Sequence, residues 1–113
     1  MFSIGKFWSQ LHGAMSPLVF ALQSDVEVVT VIAAAEQALP SIAQAHATAV
    51  AAANRVFVSA NEDVYLEMAA VAEQLYVGAQ LIAGCLIGAD TFDVDQYQEG
   101  VYVVLEVFEA MGQ

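Results

Sequence analysis

The residues with the side chains best suited to chemistry are two histidines, which lie far apart in the chain. Neither His12 nor His46 has a carboxylate three or four residues away, the spacing that places two metal ligands on one face of a helix. Both histidines are interpreted as solvent-facing or hydrogen-bonded side chains. We therefore predict no metal site and no cofactor.

A group of carboxylates near the C-terminal end offers oxygen ligands for a hard cation. Its members are Asp90, Asp93, Asp95 and Glu99. Their spacing does not match the calcium-binding loop of an EF-hand, which also needs a glycine at its sixth position. We expect Asp90 and Asp93 to cap the start of a helix, where carboxylates complement its positive end, and the other two to lie on a solvated face.

The single cysteine, Cys85, lies in the apolar run 81–87. It has no partner for an internal disulfide and is expected to be a small buried hydrophobic residue. Phosphate-binding loops, nucleophile elbows and zinc-binding spacings are missing from the sequence. The acids have almost no cationic neighbour with which to stabilise developing negative charge. The sequence therefore predicts a protein that is not an enzyme.

The composition of the chain points to one domain with more apolar surface than a single core can bury. Of its 113 residues, 59% are hydrophobic and 13% are charged, against roughly 25% charged in an ordinary soluble domain. Thirteen acids against Lys6 and Arg55 give a net charge of -11. Because nucleic-acid phosphates repel such a chain, nucleic-acid binding is not expected. The surplus apolar residues are expected to face a protein partner.

No targeting signal is recognised in the sequence, which favours the cytoplasm or the interior of a macromolecular assembly as the location of the protein. The early residues lack the order of basic, apolar and small residues that is typical of a secretory signal. The longest uncharged stretches are 7–24, 37–54 and 74–89. They are shorter than, or more polar than, a transmembrane helix of about 20 apolar residues. We therefore predict no transmembrane helix, although membrane contact stays open as a less favoured alternative.

Residues 1–15 are predicted to form an amphipathic N-terminal helix or docking arm that ends near Gly13. Three- and four-residue steps separate its apolar positions, which are Ile4, Phe7, Trp8, Leu11 and Met15. Such a stripe faces the chain's own core, another subunit or a lipid surface. The sequence leaves these three alternatives open.

Residues 16–113 are predicted to form the helical bundle itself. Ser16 and Pro17 fit the first positions of a new helix, which runs up to Pro40 or restarts at Ser24, where Ser24 and Glu27 match a capping box. Residues 26–35 and 101–108 are rich in β-branched side chains, so strands compete with helices there. We favour helices because of the alanines and the placement of the acids. Residues 41–60 predict a thin, alanine-rich helix.

The second half of the bundle carries two apolar seams with heptad-like spacing. The first follows an N-cap at Asn61 and is predicted to end at Gly88; the second occupies the last segment. Their members are Val64, Met68, Val71, Leu75, Gly78, Ile82 and Cys85, then Val94, Tyr97, Val101, Val104, Phe108 and Met111. This regularity is typical of helix-on-helix packing.

Together these features predict an all-α protein, a small bundle of four to five helices with heptad-like seams that packs into an oligomer. We predict a structural or assembly protein, an accessory subunit of a homo-oligomer or larger complex such as a virion. A membrane-active, holin- or pore-like protein and an acidic inhibitor that mimics nucleic acid are the alternatives. The predicted interface residues are Phe7, Trp8, Leu11, Met68, Leu75, Ile82, Val101, Val104 and Phe108. Replacing Val104 and Phe108 by Asp is expected to dissociate the oligomer.

Overall fold

The computed structural model describes residues 4–55, 62–86 and 91–111, and within these ranges every regular element is a helix, with one isolated β-bridge between Leu86 and Phe92. Four helices are present there, α1 (Ile4–Leu22), α2 (Val28–Arg55), α3 (Glu62–Ala83) and α4 (Val94–Met111). The all-α prediction is confirmed. The competing strands are excluded for residues 28–35 and 101–108, because both segments lie inside helices.

The helices form an elongated bundle of 51 × 23 × 19 Å. α2 packs most extensively on α3, α3 packs on α4 and α1 packs on α2, whereas the contact between α1 and α4 is slight. α3 and α4 are antiparallel, since Gly78 lies beside Gly100 while the later Leu81 contacts the earlier Gln96. The buried core has contributions from all four helices and no buried polar or charged residue among the described residues.

The predicted helix end near Gly13 is wrong, because α1 continues to Leu22 with Pro17 inside it. The buried side chains Phe7, Leu11, Met15 and Leu18 form one stripe on both sides of the proline. An internal proline costs about 3 kcal/mol and frees the carbonyl four residues earlier. Here the proline and that carbonyl's residue, Gly13, are both exposed, so water can satisfy the carbonyl while burial of the stripe keeps the helix continuous.

The break between α1 and α2 falls near the predicted restart at Ser24, but the predicted capping box is absent. The Ser24 hydroxyl donates to the carbonyl of Phe20 at 2.6 Å, so it closes the end of α1. The carbonyl of Glu27 accepts from the amides of Thr30 and Val31 and starts α2. Pro40 does not end α2, which continues to Arg55 as the predicted alanine-rich helix.

α2 and α3 are packed through small side chains. The buried stripe of α2 beyond Pro40 consists of Ile42, Ala45, Ala49, Ala52 and Ala53, and Ala69, Ala72 and Ala79 are buried on α3. Small side chains let two helix backbones approach closely.

The end of α3 also differs from the prediction. α3 ends at Ala83, five residues before the predicted Gly88, and the amides of Gly84 and Cys85 bond back to Gln80 and Ile82. Asn61, Gly88 and Asp90, which were predicted as caps or helix ends, lie outside the described residues.

Candidate interaction surface

α4 is held against α3 by a close approach of two glycines. A methyl group added to Gly100 would lie 2.8 Å from the carbonyl oxygen of Gly78 and 2.8 Å from Cγ1 of Ile82. One added to Gly78 would lie 2.8 Å from Cγ2 of Val104. The two glycines therefore fix which side of α4 faces the core, and only Gly100 and Val104 of this helix are buried.

The N-terminal end of α4 is fixed by two polar contacts. The backbone amide of Gln96 donates to Oδ1 of Asp93 at 3.0 Å, so Asp93 is the N-cap, as predicted. The side-chain amide of Gln96 donates to the carbonyl of Leu81 at 3.1 Å. That carbonyl lies in the last turn of α3, where the backbone carbonyls have no amide partner within the helix. Gln96 thus joins the end of α3 to the start of α4.

With that register fixed, α4 presents a second apolar side at the edge of the core, against which Tyr97, Val101 and Leu105 pack in part. We call it the α4 outer face; it is a groove of about 500 Å³ lined by Tyr97, Gln98, Val101, Tyr102, Leu105, Glu106 and Glu109. Tyr97, Val101 and Leu105 are half-buried, and Tyr102 is 67% exposed. The four-residue spacing of Tyr97, Val101 and Leu105 makes a continuous apolar ridge over more than two helical turns.

The charges around this groove have a single sign. Every charged residue of α4 is acidic and exposed, namely Asp95, Glu99, Glu106 and Glu109. The hydroxyl of Tyr102 hydrogen-bonds to the Glu106 carboxylate, which raises the pKa of Tyr102, and the negative charge of Glu106 acts in the same direction. The α4 outer face is therefore apolar along its length and acidic at its rim.

The other side of α4 has a similar character. A second groove, of about 370 Å³, runs between α3 and α4 and is lined by Glu73, Gln74, Val77, Val103, Glu106 and Val107. Glu106 lies at the border of both grooves. Its lining thus combines three valines with two carboxylates.

α1 meets α4 through a small aromatic contact. The rings of His12 and Phe108 have centroids 4.8 Å apart with their planes 31° apart. The hydroxyl of Ser16 donates to the backbone carbonyl of His12 at 2.8 Å. The ring of Trp8 packs edge-on against Phe7. The contact between His12 and Phe108 leaves the α4 outer face uncovered.

The residues predicted to form an interface fall into two groups. Phe7, Leu11, Met68, Leu75, Ile82 and Val104 are buried in the core of the single chain, whereas Trp8, Val101 and Phe108 are partly exposed. Among these, Val101 lines the α4 outer face. In the stripe of residues 4–15, Phe7, Leu11 and Met15 are buried within the chain, whereas Ile4 is 41% exposed. α1 continues across the boundary placed at residue 15.

Sequence reasoning did not select Tyr102 and Leu105 as interface residues. A seam built on three- and four-residue steps selects one side of a helix and passes over them. A usable signal was the run of apolar side chains from Val101 to Leu105, because an unbroken apolar run on a helix places such residues on every side.

The remaining candidates for chemistry do not come together. The described residues hold no group of three or more His, Cys, Asp or Glu side chains placed to hold a metal ion. His46 borders a hollow of about 270 Å³ between α2 and α3 with Glu73 and Tyr76. Cys85 is fully buried, as predicted, and its burial raises the pKa of the thiol, with a smaller effect from Asp93.

Comparisons of the chain with protein-family models, curated proteins and solved structures give no match. In the described part of the chain, one helix, Val28–Arg55, is long and apolar enough to cross a membrane by length and composition. A third of its most apolar window is buried inside the bundle. Core helices of soluble proteins can also have the length and apolar composition of a membrane-spanning helix.

Proposed function

We propose that this chain is a non-enzymatic assembly protein that binds another protein subunit through the α4 outer face. The observation that carries the proposal is the uncovered groove on α4, in which Tyr97, Val101 and Leu105 lie only half-buried beside the exposed ring of Tyr102. Contiguous apolar surface rimmed by polar residues is typical of protein contact sites.

Burial of this ridge supplies a driving force for association. Complete burial of a Val, Leu or Phe side chain contributes about 1.5–3 kcal/mol relative to full exposure. Tyrosine is common at such sites because it combines a large apolar ring with a polar end. A second copy of the chain or a different subunit could supply the covering surface, and either makes the chain a component of an assembly.

A membrane-active, holin- or pore-like protein is the second candidate, and the length and apolar composition of α2 favour it. It ranks lower because α2 packs against both α1 and α3 and carries the exposed charge of Glu36. A charge of this kind is costly at the centre of a bilayer. An acidic inhibitor that mimics nucleic acid ranks last, since the thirteen acids of this chain are spread along the sequence instead of forming one dense face.

The proposal is tested by asking whether the α4 outer face is covered in the cells that make the protein. Tyr102→Cys places a thiol on this face, and Phe20→Cys places one at a similarly exposed position on α1, where Phe20 is 72% exposed. The native Cys85 contributes little background, because a buried thiol with a raised pKa reacts slowly. Each variant is labelled with a maleimide in intact cells and after purification.

We expect the thiol at position 102 to react several-fold more slowly in cells than in the purified protein, and the thiol at position 20 to react similarly in both. Equal reactivity of position 102 in both settings would overturn the proposal, provided that circular dichroism shows the purified variant to be folded. Equal slowing at both positions would overturn it too, because the protection would then not be specific to α4.

A further inference from the structure

We propose that the occupant of the α4 outer face is a cationic amphipathic helix of a different protein. This inference rests on the proposed function and adds the chemistry of the partner. It follows from the shape of the groove, from the sign of the charges at its rim and from the scarcity of cationic residues in this chain.

The α4 outer face, whose lining residues all lie on α4, has the length and spacing of a surface that packs against another helix. From Tyr97 to Glu109 the lining residues span twelve steps along α4, about 18 Å at 1.5 Å per residue. Tyr97, Val101 and Leu105 form a ridge with four-residue spacing, which interdigitates with the same kind of ridge on another helix. The occupant therefore needs about three turns of helix with an apolar stripe.

The rim selects the charge of that helix. Glu106 and Glu109 border the groove, and α4 carries no cationic residue to compensate them. Lys or Arg side chains that flank the apolar stripe of an occupant would meet these carboxylates, and their long stems would cover part of the tyrosine rings. An acidic or neutral helix gains no such contact.

The same charges disfavour a second copy of this chain as the occupant. A symmetric contact places the same surface on both partners, so the carboxylates of two α4 helices would face each other. Each chain carries a net charge of -11, and its cationic side chains, Lys6 and Arg55, lie on α1 and α2. Like charges brought together at an interface oppose binding.

The test is a titration of the full-length purified chain with a labelled synthetic peptide, followed by fluorescence anisotropy. The probe is an 18-residue helix with a leucine stripe flanked by lysines. One control peptide has glutamates in place of the lysines. A second has the composition of the probe in scrambled order, which separates recognition of an amphipathic helix from simple attraction to an acidic protein. We expect the probe to bind most tightly and its affinity to fall with added salt.

Matched variants locate the binding site. Glu106→Gln together with Glu109→Gln is expected to weaken binding about fivefold, because the double variant removes two exposed ion pairs that each contribute modestly to the affinity. Glu36→Gln together with Glu67→Gln removes the same charge from exposed positions on α2 and α3 and is expected to have little effect. Leu105→Glu is expected to weaken binding further. Because Leu105 also packs against the core, circular dichroism must show this variant to be folded, and Tyr102→Glu at a mostly exposed position is expected to weaken binding as well. Phe20→Glu on α1 leaves binding unchanged.

Equal binding of the probe and the scrambled peptide, or equal losses in the two pairs of charge variants, would overturn the inference. Failure of the probe to bind would overturn it as well. If position 102 is nevertheless protected from maleimide in cells, the proposed function stands and only the chemistry of the partner is wrong. A salt-independent multimer of the purified chain that Leu105→Glu disrupts would identify the occupant as a second copy.

Discussion

Gly78 on α3 and Gly100 on α4 lie against each other so closely that a methyl group on Gly100 would stand 2.8 Å from the Gly78 carbonyl oxygen. The obstructing atom belongs to a helix backbone, which cannot move without shifting α3. A methyl group on Gly78 would meet the side chains of Val104 and Val103 at 2.8 and 3.1 Å. Side chains adjust more easily than backbone, so the two positions differ in their tolerance of substitution.

Gly100→Ala is therefore expected to lower the free energy of unfolding by about 1–2 kcal/mol, because overpacking outweighs the better helix propensity of alanine. Gly78→Ala is expected to cost less. Gly13→Ala is the control: Gly13 lies inside α1 with nothing within 4 Å of an added methyl group, so alanine should stabilise by about 0.5–1 kcal/mol. Urea unfolding measures all three, and stabilisation by Gly100→Ala would contradict the close approach.

The helical periodicity of the sequence was sufficient to predict that α3 and α4 are helices and that part of each seam is buried, but the seam members Val64 and Val94 are exposed. Met68, Leu75, Ile82 and Val104 lie in the core because three- and four-residue steps place them on one side of each helix. The same periodicity could not separate core from interface, since both bury apolar side chains. That distinction depends on which helices pack together, and Val104 is buried where its Cγ2 atom lies against Gly78 of α3.

The prolines and glycines were harder to interpret from the sequence. Pro17 and Pro40 suggested helix boundaries, yet both lie inside helices at exposed positions. The decisive quantity was the amount of apolar surface that a continuous helix buries, which no local pattern contains. Glycine lowers the helix propensity of a segment, yet in the structure Gly100 permits the approach of α4 to α3.

Loss of the Gln96 side chain is expected to loosen the start of α4. Gln96→Ala removes the donor to the Leu81 carbonyl and should lower the free energy of unfolding by about 1 kcal/mol. Gln98→Ala is the matched control, because Gln98 is exposed on the same helix and its loss should change stability by less than about 0.5 kcal/mol. Thermal unfolding followed by circular dichroism compares the variants, and equal melting temperatures would disprove this role of Gln96.

Alkaline pH is expected to destabilise the fold through Cys85 and Tyr97. Burial raises the pKa of both groups, from ordinary values of 9.0 and 10.0 respectively. The folded state therefore retains these protons at a pH where the unfolded state releases them, so stability is fully present below pH 9 and falls as the pH rises above it. Urea unfolding between pH 8 and pH 11 should show a smaller loss for Cys85→Ala with Tyr97→Phe than for the wild type. Equal losses of stability in the variant and the wild type would argue against a contribution of Cys85 and Tyr97 to the alkaline destabilisation.

Substitutions at Val104 and Tyr102 are expected to separate the core of α4 from its outer face. Val104 is fully buried, so Val104→Asp places an unpaired charge in the core and should cost about 4 kcal/mol or more. Tyr102→Asp removes the hydrogen bond to Glu106 and places a like charge beside it. The change should therefore cost about 1 kcal/mol at this exposed position. Replacing Val104 and Phe108 together would thus unfold the chain before it reported on any oligomer. Circular dichroism of the two single variants measures this difference, and a folded Val104→Asp chain would contradict the burial of Val104.

The purified chain is expected to be soluble without detergent, because α2 is packed between α1 and α3 and none of the described acids is buried. Light scattering in detergent-free buffer at 0.1 M salt should give one discrete mass. We expect it to be a monomer, unlike the oligomer predicted from the sequence, since repulsion between chains of net charge -11 acts over a Debye length of about 10 Å at this salt concentration. At 1 M salt that length falls to about 3 Å, and weak self-association through the α4 outer face should appear in the wild type but not in Leu105→Glu. Insolubility that only detergent reverses would instead favour the membrane-active alternative, because a bilayer would then be the medium that covers the surplus apolar surface.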